Sequence, residues 1–315
     1  MWKMRISTAV AMLMLWAAAL SAQSTGSVSG TIADESGGVI PGATVTVTNV
    51  ETGVATTSVS LTDGTFLFGS LQPGTYVTTA ELSGFKRYTG APFQLHVGDR
   101  LVLKVGLELG MASEEVVVTA EAPLLRTADA QVGEVVTNRL IANLPQLNRN
   151  PFALLSLAGN VQGSGNSVQL NGGRTSAVDY YVDGGVVNSG QSNRLTNQVP
   201  SMDAVAEFRV VTAGVSAEFG RISGGYVTLV TKGGTNTLSG SVYNYLFDDA
   251  LNENSWAQKA IGAKKADFRQ NTFGFTVGGP IVIPHVYDGR NKTFFFVDNE
   301  FLRRNEAGAV ALSSV

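Results

Sequence analysis

The 315-residue chain contains no cysteine and only two histidines, His96 and His285. The absence of cysteine excludes a disulfide scaffold and a cysteine-rich zinc site. The histidines fall in different predicted domains and neither has a second ligand at zinc spacing, so neither a zinc site nor a histidine-based triad is expected. No G-x-S-x-G motif surrounds a serine. We therefore predict that the protein is not an enzyme and has no catalytic residues, metal or cofactor.

Charge is also scarce. Charged residues make up 15% of the chain and the formal net charge is -3. Because no basic stripe is present, we expect no nucleic-acid partner. Aliphatic and aromatic residues reach 44%, which is too many for a disordered chain. The length leaves room for two or three folded domains.

The N-terminus has the pattern of a secretory signal. Two basic residues precede an apolar run over 9–20, which is followed by small residues. We predict a signal peptide over 1–22, with cleavage near Ala22 or Gln23. A membrane anchor is the alternative, but the run is shorter than the ~20 residues that a spanning helix needs. No later segment is long and apolar enough for such a helix, so the mature chain is expected outside the cytoplasm.

Residues 26–110 alternate short β-rich runs with turn dipeptides, among them Pro41-Gly42, Asp63-Gly64 and Pro73-Gly74. This punctuation predicts an antiparallel β-sandwich. Its wording, "GSVSGTIADESGGVIPGATVTVTN" and "TDGTFLFGSLQPGTYVTTAELSGFK", resembles the carboxypeptidase regulatory-like domain, a transthyretin-like sandwich. The resemblance implies an accessory module without peptidase chemistry. It is either a rigid spacer or, as in some relatives, a carbohydrate-binding module.

Residues 128–236 have a different composition and predict a second, mixed α+β domain. Apolar spacing indicates a short helix before Pro145, and a second helical turn is predicted over 151–157 because proline is favoured at the first helical position. Strand patterns then return, with a tight reversal at Asp183-Gly184. The paired glycines of this domain could indicate a phosphate-binding loop. None of them forms a G-x-G-x-x-G motif at the start of a helix, so we interpret them as turns and bulges.

Two stretches of this domain, "YYVDGGVV" and "MDAVAEFRVVTAGVSAEFGRISGGYVTLVTKGGTN", resemble the plug domain of TonB-dependent outer-membrane transporters, closest to the Oar-like branch. The family's usual Arg-Gly-Pro turn is replaced here by residues 211–214. The resemblance makes four charged residues candidates for contacts between the plug and a barrel wall. They are Glu207, Arg209, Glu218 and Arg221. Ordinary solvated strand-end charges are the alternative for each.

Residues 237–315 carry three segments of about ten residues, over 238–248, 271–279 and 292–304, with aromatic residues and partial period-two patterning. Such segments are typical of transmembrane β-barrel strands, with a soluble sheet as the alternative. Three strands cannot close a barrel in lipid. We therefore expect the chain to be the front of a longer protein or a truncated product, unable to transport by itself.

The segment 111–127 joins the first two domains and contains four consecutive β-branched residues, Val116 to Thr119, after an acidic pair. It is either the last strand of the sandwich or a segment that binds another protein. The strand pattern over 101–109 already accounts for the last strand of the sandwich, which favours the second interpretation. The segment resembles the TonB box. This implies that TonB binds by strand addition at five residues: Glu115, Val116, Val117, Val118 and Thr119.

The predicted fold is mainly β: an N-terminal antiparallel sandwich, a mixed α+β plug, and the first strands of an incomplete transmembrane barrel. The resemblance implies the N-terminal part of an energised receptor or transporter in the outer membrane of a Gram-negative bacterium, with its first domains in the periplasm. Its expected partners are TonB with the inner-membrane energising complex, outer-membrane lipid and a substrate that the sequence does not identify, carbohydrate being one candidate. The alternative is a cell-surface adhesion or carbohydrate-binding protein that acts through the sandwich.

Overall fold

The structure is a computed structural model, in which each of three consecutive stretches of the chain forms its own sheets. It describes residues 25–110, 115–117, 131–137, 149–163, 168–216 except 191, 194, 197 and 198, then 219, 222, and 224–306 except 255, 263, 264 and 266. The predicted signal peptide, its cleavage residues Ala22 and Gln23, and the predicted helix before Pro145 lie outside the described residues.

The first unit is a two-sheet sandwich. Its strands are β1 (Gly26–Asp34), β2 (Thr44–Asn49), β3 (Ala55–Val59), β4 (Thr65–Leu71), β5 (Gly74–Glu81), β6 (Arg87–Thr89), β7 (Phe93–Leu95), β8 (Arg100–Leu107) and β9 (Glu115–Val117). One sheet has the order β4-β1-β8, and the other has the order β3-β2-β5-β6-β9, with β7 also on β5. Two pairings, β1 with β8 and β6 with β9, are parallel. The predicted sandwich is confirmed, but the prediction that all its strands are antiparallel is wrong.

The inward faces of both sheets form one apolar core. Residues such as Val28 and Ile32 on β1 meet Val45 and Val47 on β2, all with no exposed surface. Along β2, the buried valines alternate with exposed or half-buried threonines, as expected for a strand with one face in the core. Every buried residue of this core lies between 28 and 107. The sandwich thus contains the apolar surface it needs to fold on its own.

The second unit is built around a five-stranded sheet. Its strands are β10 (Val132–Thr137), β11 (Val161–Gln162), β12 (Gln169–Leu170), β13 (Val178–Val182), β14 (Gly185–Val186), β15 (Val205–Ala213) and β16 (Gly225–Thr231). The sheet order is β10-β15-β16-β13-β14, and β11 pairs with β12. The described helical segments of this unit are 3₁₀ turns: Pro151–Leu157, Thr175–Ala177 and Met202–Ala204. The first confirms the turn predicted after Asn150, whose side chain accepts from the N–H of Phe152.

The core of the second unit is separate from that of the sandwich. It packs Phe152 from the first 3₁₀ turn edge-on against Tyr180 of β13, with ring centroids 5.3 Å apart. Val205, Phe208 and Val210 of β15 join the same core. Val205 and Phe208 are three residues apart, an odd spacing that strict alternation forbids, and the pairing with β16 shifts register between Val205 and Glu207. A β-bulge at this point therefore resets which side chains face the core.

The Asp183-Gly184 reversal links two strands of this sheet. Asp183 has φ 48° and accepts from both the backbone N–H (2.9 Å) and the hydroxyl (2.8 Å) of Thr231 on β16. Gly184 continues the left-handed backbone with φ 85°, which a glycine adopts without steric cost. The predicted tight turn is confirmed, and it joins β13 to β14.

The third unit is a long three-stranded antiparallel sheet with the order β17-β18-β21. Its elements are β17 (Ser239–Asp248), a 3₁₀ turn (Asp249–Leu251), α1 (Trp256–Ala260), β18 (Phe268–Pro280), β19 (Val282–Ile283), β20 (Tyr287–Asp288) and β21 (Phe294–Glu306). The three segments predicted as strands all form strands. In the part of the chain that the structure describes, no helix combines the length and apolar character needed to cross a bilayer.

This sheet buries polar side chains and exposes apolar ones. On β18, Thr272 and Thr276 are 2% and 8% exposed, whereas Phe275 between them is 40% exposed. Its register partner on β17 is Val242, 88% exposed, and Val297 of β21, 46% exposed, is the partner of Val277 two positions further along the same face. A soluble sheet has the opposite arrangement. Apolar-out and polar-in alternation is typical of a strand that faces lipid.

A prediction concerns the sandwich. Gly30 on β1 has no room for a side chain, because a Cβ there would lie 2.4 Å from the carbonyl oxygen of Leu103 and 2.5 Å from the ring of Phe66. We expect Gly30→Ala to destabilise the domain by about 1–3 kcal/mol through overpacking. Gly106→Ala on β8 is the matched control, since its Cβ would meet no atom within 4 Å. Denaturant unfolding of the excised sandwich measures both, and equal stabilities would contradict the packing described.

Candidate functional site

The predicted TonB-binding segment is part of the sandwich. Residues 115–117 form β9, which pairs in parallel with β6, Arg87 opposite Glu115 and Thr89 opposite Val117. The prediction that this run lies between the two domains without a partner in its own chain is wrong for residues 115–117. That reasoning assigned the last strand to residues 101–109, but β8 lies in the other sheet, so the edge of β6 is left open for β9. Val118 and Thr119 lie outside the described residues.

Two of the predicted plug residues reach the sandwich rather than a barrel strand. Glu207 on β15 accepts from the backbone N–H of Val97 at 2.6 Å, and its second carboxylate oxygen lies 2.6 Å from Nδ1 of His96. Arg209, two positions further along β15, donates from Nη1 to the carbonyl of Val97 at 2.9 Å. Both side chains are buried, 5% and 9% exposed. We call the turn over 96–99, between β7 and β8, the docking loop.

The docking loop is shaped for this contact. Asp99 accepts from the backbone N–H of His96 at 3.1 Å and from Nη1 of Arg209 at 3.0 Å. The same carboxylate therefore both closes the turn and contacts the second unit. Gly98 has φ 69°, a left-handed conformation that suits glycine. Buried charges are tolerated only when they are paired and hydrogen-bonded. Arg209 pairs with Asp99 and Glu207 contacts His96, whereas Nε of Arg209 is buried without a hydrogen-bond partner among the described residues. We refer to the four side chains of His96, Asp99, Glu207 and Arg209 as the clamp.

The alternation of β15 explains why the clamp faces outward. Phe208 and Val210 lie in the core of the second unit, and Glu207 and Arg209 lie on the opposite face of the strand. If nothing packed against this face of the sheet, Glu207 and Arg209 would be hydrated. Here the docking loop covers it, which turns two strand charges into a buried junction between the first and second units.

A cleft of about 570 Å³ opens beside the clamp. Its lining includes Arg209, Gly98 and three aromatic residues of the second unit, Tyr181, Phe219 and Tyr226. The rings of Phe219 and Tyr226 stack with centroids 4.0 Å apart, and Tyr181 meets Phe219 edge-on at 5.3 Å. The cleft therefore has an aromatic wall contributed by the second unit. Glu218 and Arg221, the other two predicted contacts, lie outside the described residues.

The contact between the second and third units is centred on Arg149. Its guanidinium pairs with Asp203 and lies over the rings of Tyr243 (5.0 Å) and Tyr245 (3.8 Å) of β17. Its Nε is 3.6 Å from the carboxylate of Glu300 on β21. The Arg149 side chain is only 11% exposed, and its backbone has the unusual φ of 44°, so its position is fixed by the surroundings.

Further polar contacts extend this junction. Ser201 donates to Asp298 of β21 at 2.9 Å and also caps the 3₁₀ turn that carries Asp203. Lys232 lies nearby. Burial lowers its pKa, and the negative charges of Asp203 and Asp298 partly oppose that shift. The interface is thus built from charges and hydroxyls rather than from an apolar seam.

The sequence did not indicate these junction residues. Arg149 stands between two asparagines in a segment without periodicity, and its partners on β17 and β21 are almost a hundred or more positions away. The usable signal was indirect: the inward faces of the strand segments 238–248 and 292–304 carry tyrosine and acidic residues, which in a barrel must find polar partners inside.

Comparison with known proteins agrees with this architecture. The model of the carboxypeptidase regulatory-like domain matches residues 27–108, and that of the outer membrane beta barrel domain matches residues 230–315. The TonB-dependent transporter Oar of Myxococcus xanthus is 27% identical over 312 residues, covering 91% of this chain and 27% of that protein. The chain thus spans about a quarter of the length of this curated relative.

Two solved structures overlap parts of the chain. A mutant ferric enterobactin receptor from Pseudomonas aeruginosa has a TM-score of 0.41 at 16% identity, covering 57% of this chain and 26% of that chain. The siderophore receptor PirA from Acinetobacter baumannii has a TM-score of 0.37 at 24% identity, covering 48% and 22%.

The two domain matches define an outer-membrane protein that carries a carboxypeptidase regulatory-like domain ahead of an outer membrane beta barrel domain. More particularly, the chain is a homologue of the TonB-dependent transporter Oar.

A prediction tests the clamp. Glu207→Ala removes the carboxylate, so the buried backbone N–H of Val97 loses its acceptor. We expect a loss of about 2 kcal/mol in the unfolding free energy of a segment spanning residues 25–236. Glu108→Ala is the matched control, because the side chains of its ion pair with Lys86 are 29% and 41% exposed and pairs near the surface contribute about 0–1 kcal/mol. Equal small losses in denaturant titrations would show that the clamp does not stabilise the junction.

Proposed function

We propose that this chain forms the N-terminal part of an energised outer-membrane receptor or transporter, in which residues 128–236 act as a plug that gates the pore. Homology over 91% of the chain to a TonB-dependent transporter supports the proposal. The observation that carries it is the position of the second unit, which contacts the polar, inward face of strands from the outer membrane beta barrel domain. The sandwich would lie on the periplasmic side of this plug.

The chemistry of that contact suits a gate. An apolar seam would have to expose its surface to water when the plug moves, at about 25 cal/mol per Å². Arg149 is instead held by Asp203, Glu300 and two tyrosine rings, all groups that water solvates when they separate. Such a plug stays in place at rest and leaves without a large hydrophobic cost.

Energy would reach the plug through a periplasmic partner. We propose TonB, with its inner-membrane energising complex, binding at Glu115 to Thr119 by strand addition. A β-branched run at a sheet edge supplies main-chain hydrogen bonds for such pairing. The transported substrate would be selected by loops of the plug and by parts of the barrel beyond the three strands described.

A prediction addresses the gate. In the complete gene product, Arg149→Gly removes the guanidinium while glycine keeps the left-handed backbone without strain. We expect the plug to be held less firmly, so that cells become measurably more sensitive to a bulky antibiotic that the outer membrane normally excludes. Arg290→Ala is the matched control, since Arg290 is exposed and 3.8 Å from its acidic partner. Sensitivity equal to that control would contradict a holding role for Arg149.

A second prediction addresses the partner. Pull-down by the periplasmic part of TonB is expected for the complete gene product and lost for Val117→Pro, because proline lacks the N–H that strand pairing needs. Ala112→Pro, outside the proposed segment, serves as the control and is expected to bind. Binding that survives Val117→Pro would refute the strand-addition mechanism.

A further inference from the structure

A second contact joins the sandwich to the third unit. Asn236, in the connection from β16 to β17, donates from its backbone N–H to the carbonyl of Glu51 at 3.1 Å and from Nδ2 to the carbonyl of Thr52 at 2.6 Å. Nδ2 also donates to Oδ1 of Asn291, between β20 and β21, at 2.6 Å, and Oδ1 of Asn236 accepts from the backbone N–H of Asn291 at 2.8 Å. We call Asn236, Asn291 and the turn over 51–53 the latch.

The latch and the docking loop project from the same end of the sandwich. Asn49, the last residue of β2, pairs with Tyr76 on one side of β5, and β7 pairs with residues 74–76 on the other side. Both strands run antiparallel to β5, so the turn after β2 and the docking loop after β7 lie together where β5 begins. One end of the sandwich therefore contacts β15 through the clamp and the third unit through the latch.

The contact with the third unit is close. A Cβ added at Gly53 would lie only 2.1 Å from Oδ1 of Asn291, so the turn can approach because residue 53 has no side chain. Asn236 and Asn291 lie just before β17 and β21, at the end of the sheet where these two strands begin and β18 ends. The sandwich thus sits across the boundary between the second unit and this end of the sheet.

We propose that the sandwich is a strap, fastened to the second unit by the clamp and to the third unit by the latch, that restrains movement of one unit relative to the other. The inference deepens the proposed function and rests on it in one respect: under that function, the strap restrains the gate in addition to Arg149. If the second unit moves away from the third, either the clamp or the latch must open.

The two ends of the strap differ in strength. Glu207 and Arg209 of the clamp are 5% and 9% exposed, and a buried charge that loses its partner is costly. The latch pairs neutral amide and carbonyl groups, and Asn291 is exposed, so water can replace these hydrogen bonds. The latch is therefore the end that opens first, and the sandwich moves with the second unit.

A strap couples its two ends, and hydrogen exchange can measure the coupling. While the clamp is closed, it holds the turn over 51–53 beside Asn236 and so raises the effective concentration of the latch groups. Loss of the clamp should therefore open the latch more often. Because such coupling is reciprocal, loss of the latch should open the clamp by the same factor.

Exchange is followed by mass spectrometry on the complete gene product in detergent. We expect Glu207→Ala to speed exchange of the Asn236 N–H, and Asn236→Ala to speed exchange of the Val97 N–H, each by about fivefold or more. Glu108→Ala, which removes a surface carboxylate of the sandwich, is the control and should leave both rates unchanged. The N–H of Val227, in the core of the second unit, reports whether that unit remains folded.

Rates at both sites that stay within about twofold of the control would overturn the strap. If Val227 loses its protection in Glu207→Ala, the second unit has been disrupted, and the Asn236→Ala variant decides alone. That substitution removes a half-buried side chain outside both apolar cores, so the folded units are retained.

A readout in cells separates the strap from the gate. Arg149 and the latch are separate restraints, so the effects of losing them should add. Asn236→Ala combined with Arg149→Gly is expected to raise sensitivity to the bulky antibiotic by a further ~fourfold over Arg149→Gly alone. No further increase would refute the restraining role of the strap. If neither variant changes sensitivity while exchange at the two ends is coupled, the strap stands and the proposed gate fails.

Discussion

The organisation of the first two units depends on a single strand with two different faces. One face of β15 supplies Phe208 and Val210 to the core of the second unit, and the other supplies Glu207 and Arg209 to the docking loop of the sandwich. The strand is also central in its sheet, between β10 and β16. A displacement of β15 would therefore disturb the core of the second unit and its junction with the sandwich together. This shared strand makes the two units a coupled pair even though their apolar cores are separate.

Both junctions of the second unit are polar. The junction with the sandwich consists of buried charged side chains. The junction with the third unit consists of Arg149, hydroxyl groups and acidic residues. The first and second units each have an apolar core of their own, so the junction between them is free to specify position. Hydrogen-bonded charges serve this purpose because they are strongly directional and become costly when one partner is lost. Specific docking and the ability to separate into water are therefore compatible in one molecule.

Local patterns predicted much of the fold, and long-range contacts escaped them. Alternating runs and turn dipeptides predicted the sandwich, the Asp183-Gly184 reversal and all three long strands of the third unit. The partners of Glu207 and Arg209 lie about 110 positions earlier in the chain, where no periodicity reaches. The pairing of β9 was missed for a related reason: the edge left open in the second sheet depends on which sheet takes β8. Charge identity was visible in the sequence, but the surface that each charge meets is a property of topology.

The bulge between Val205 and Glu207 has a consequence for the relation of sequence to fold. Upstream of it the odd-numbered position, Val205, is buried in the core, and downstream the even-numbered ones, Phe208 and Val210, are. The strand thus changes phase once along its length. A single inserted or deleted residue beyond the bulge would send the charged pair into the apolar core and the aromatic ring toward the docking loop. The number of residues between the bulge and the charged pair therefore decides which face of β15 meets the docking loop.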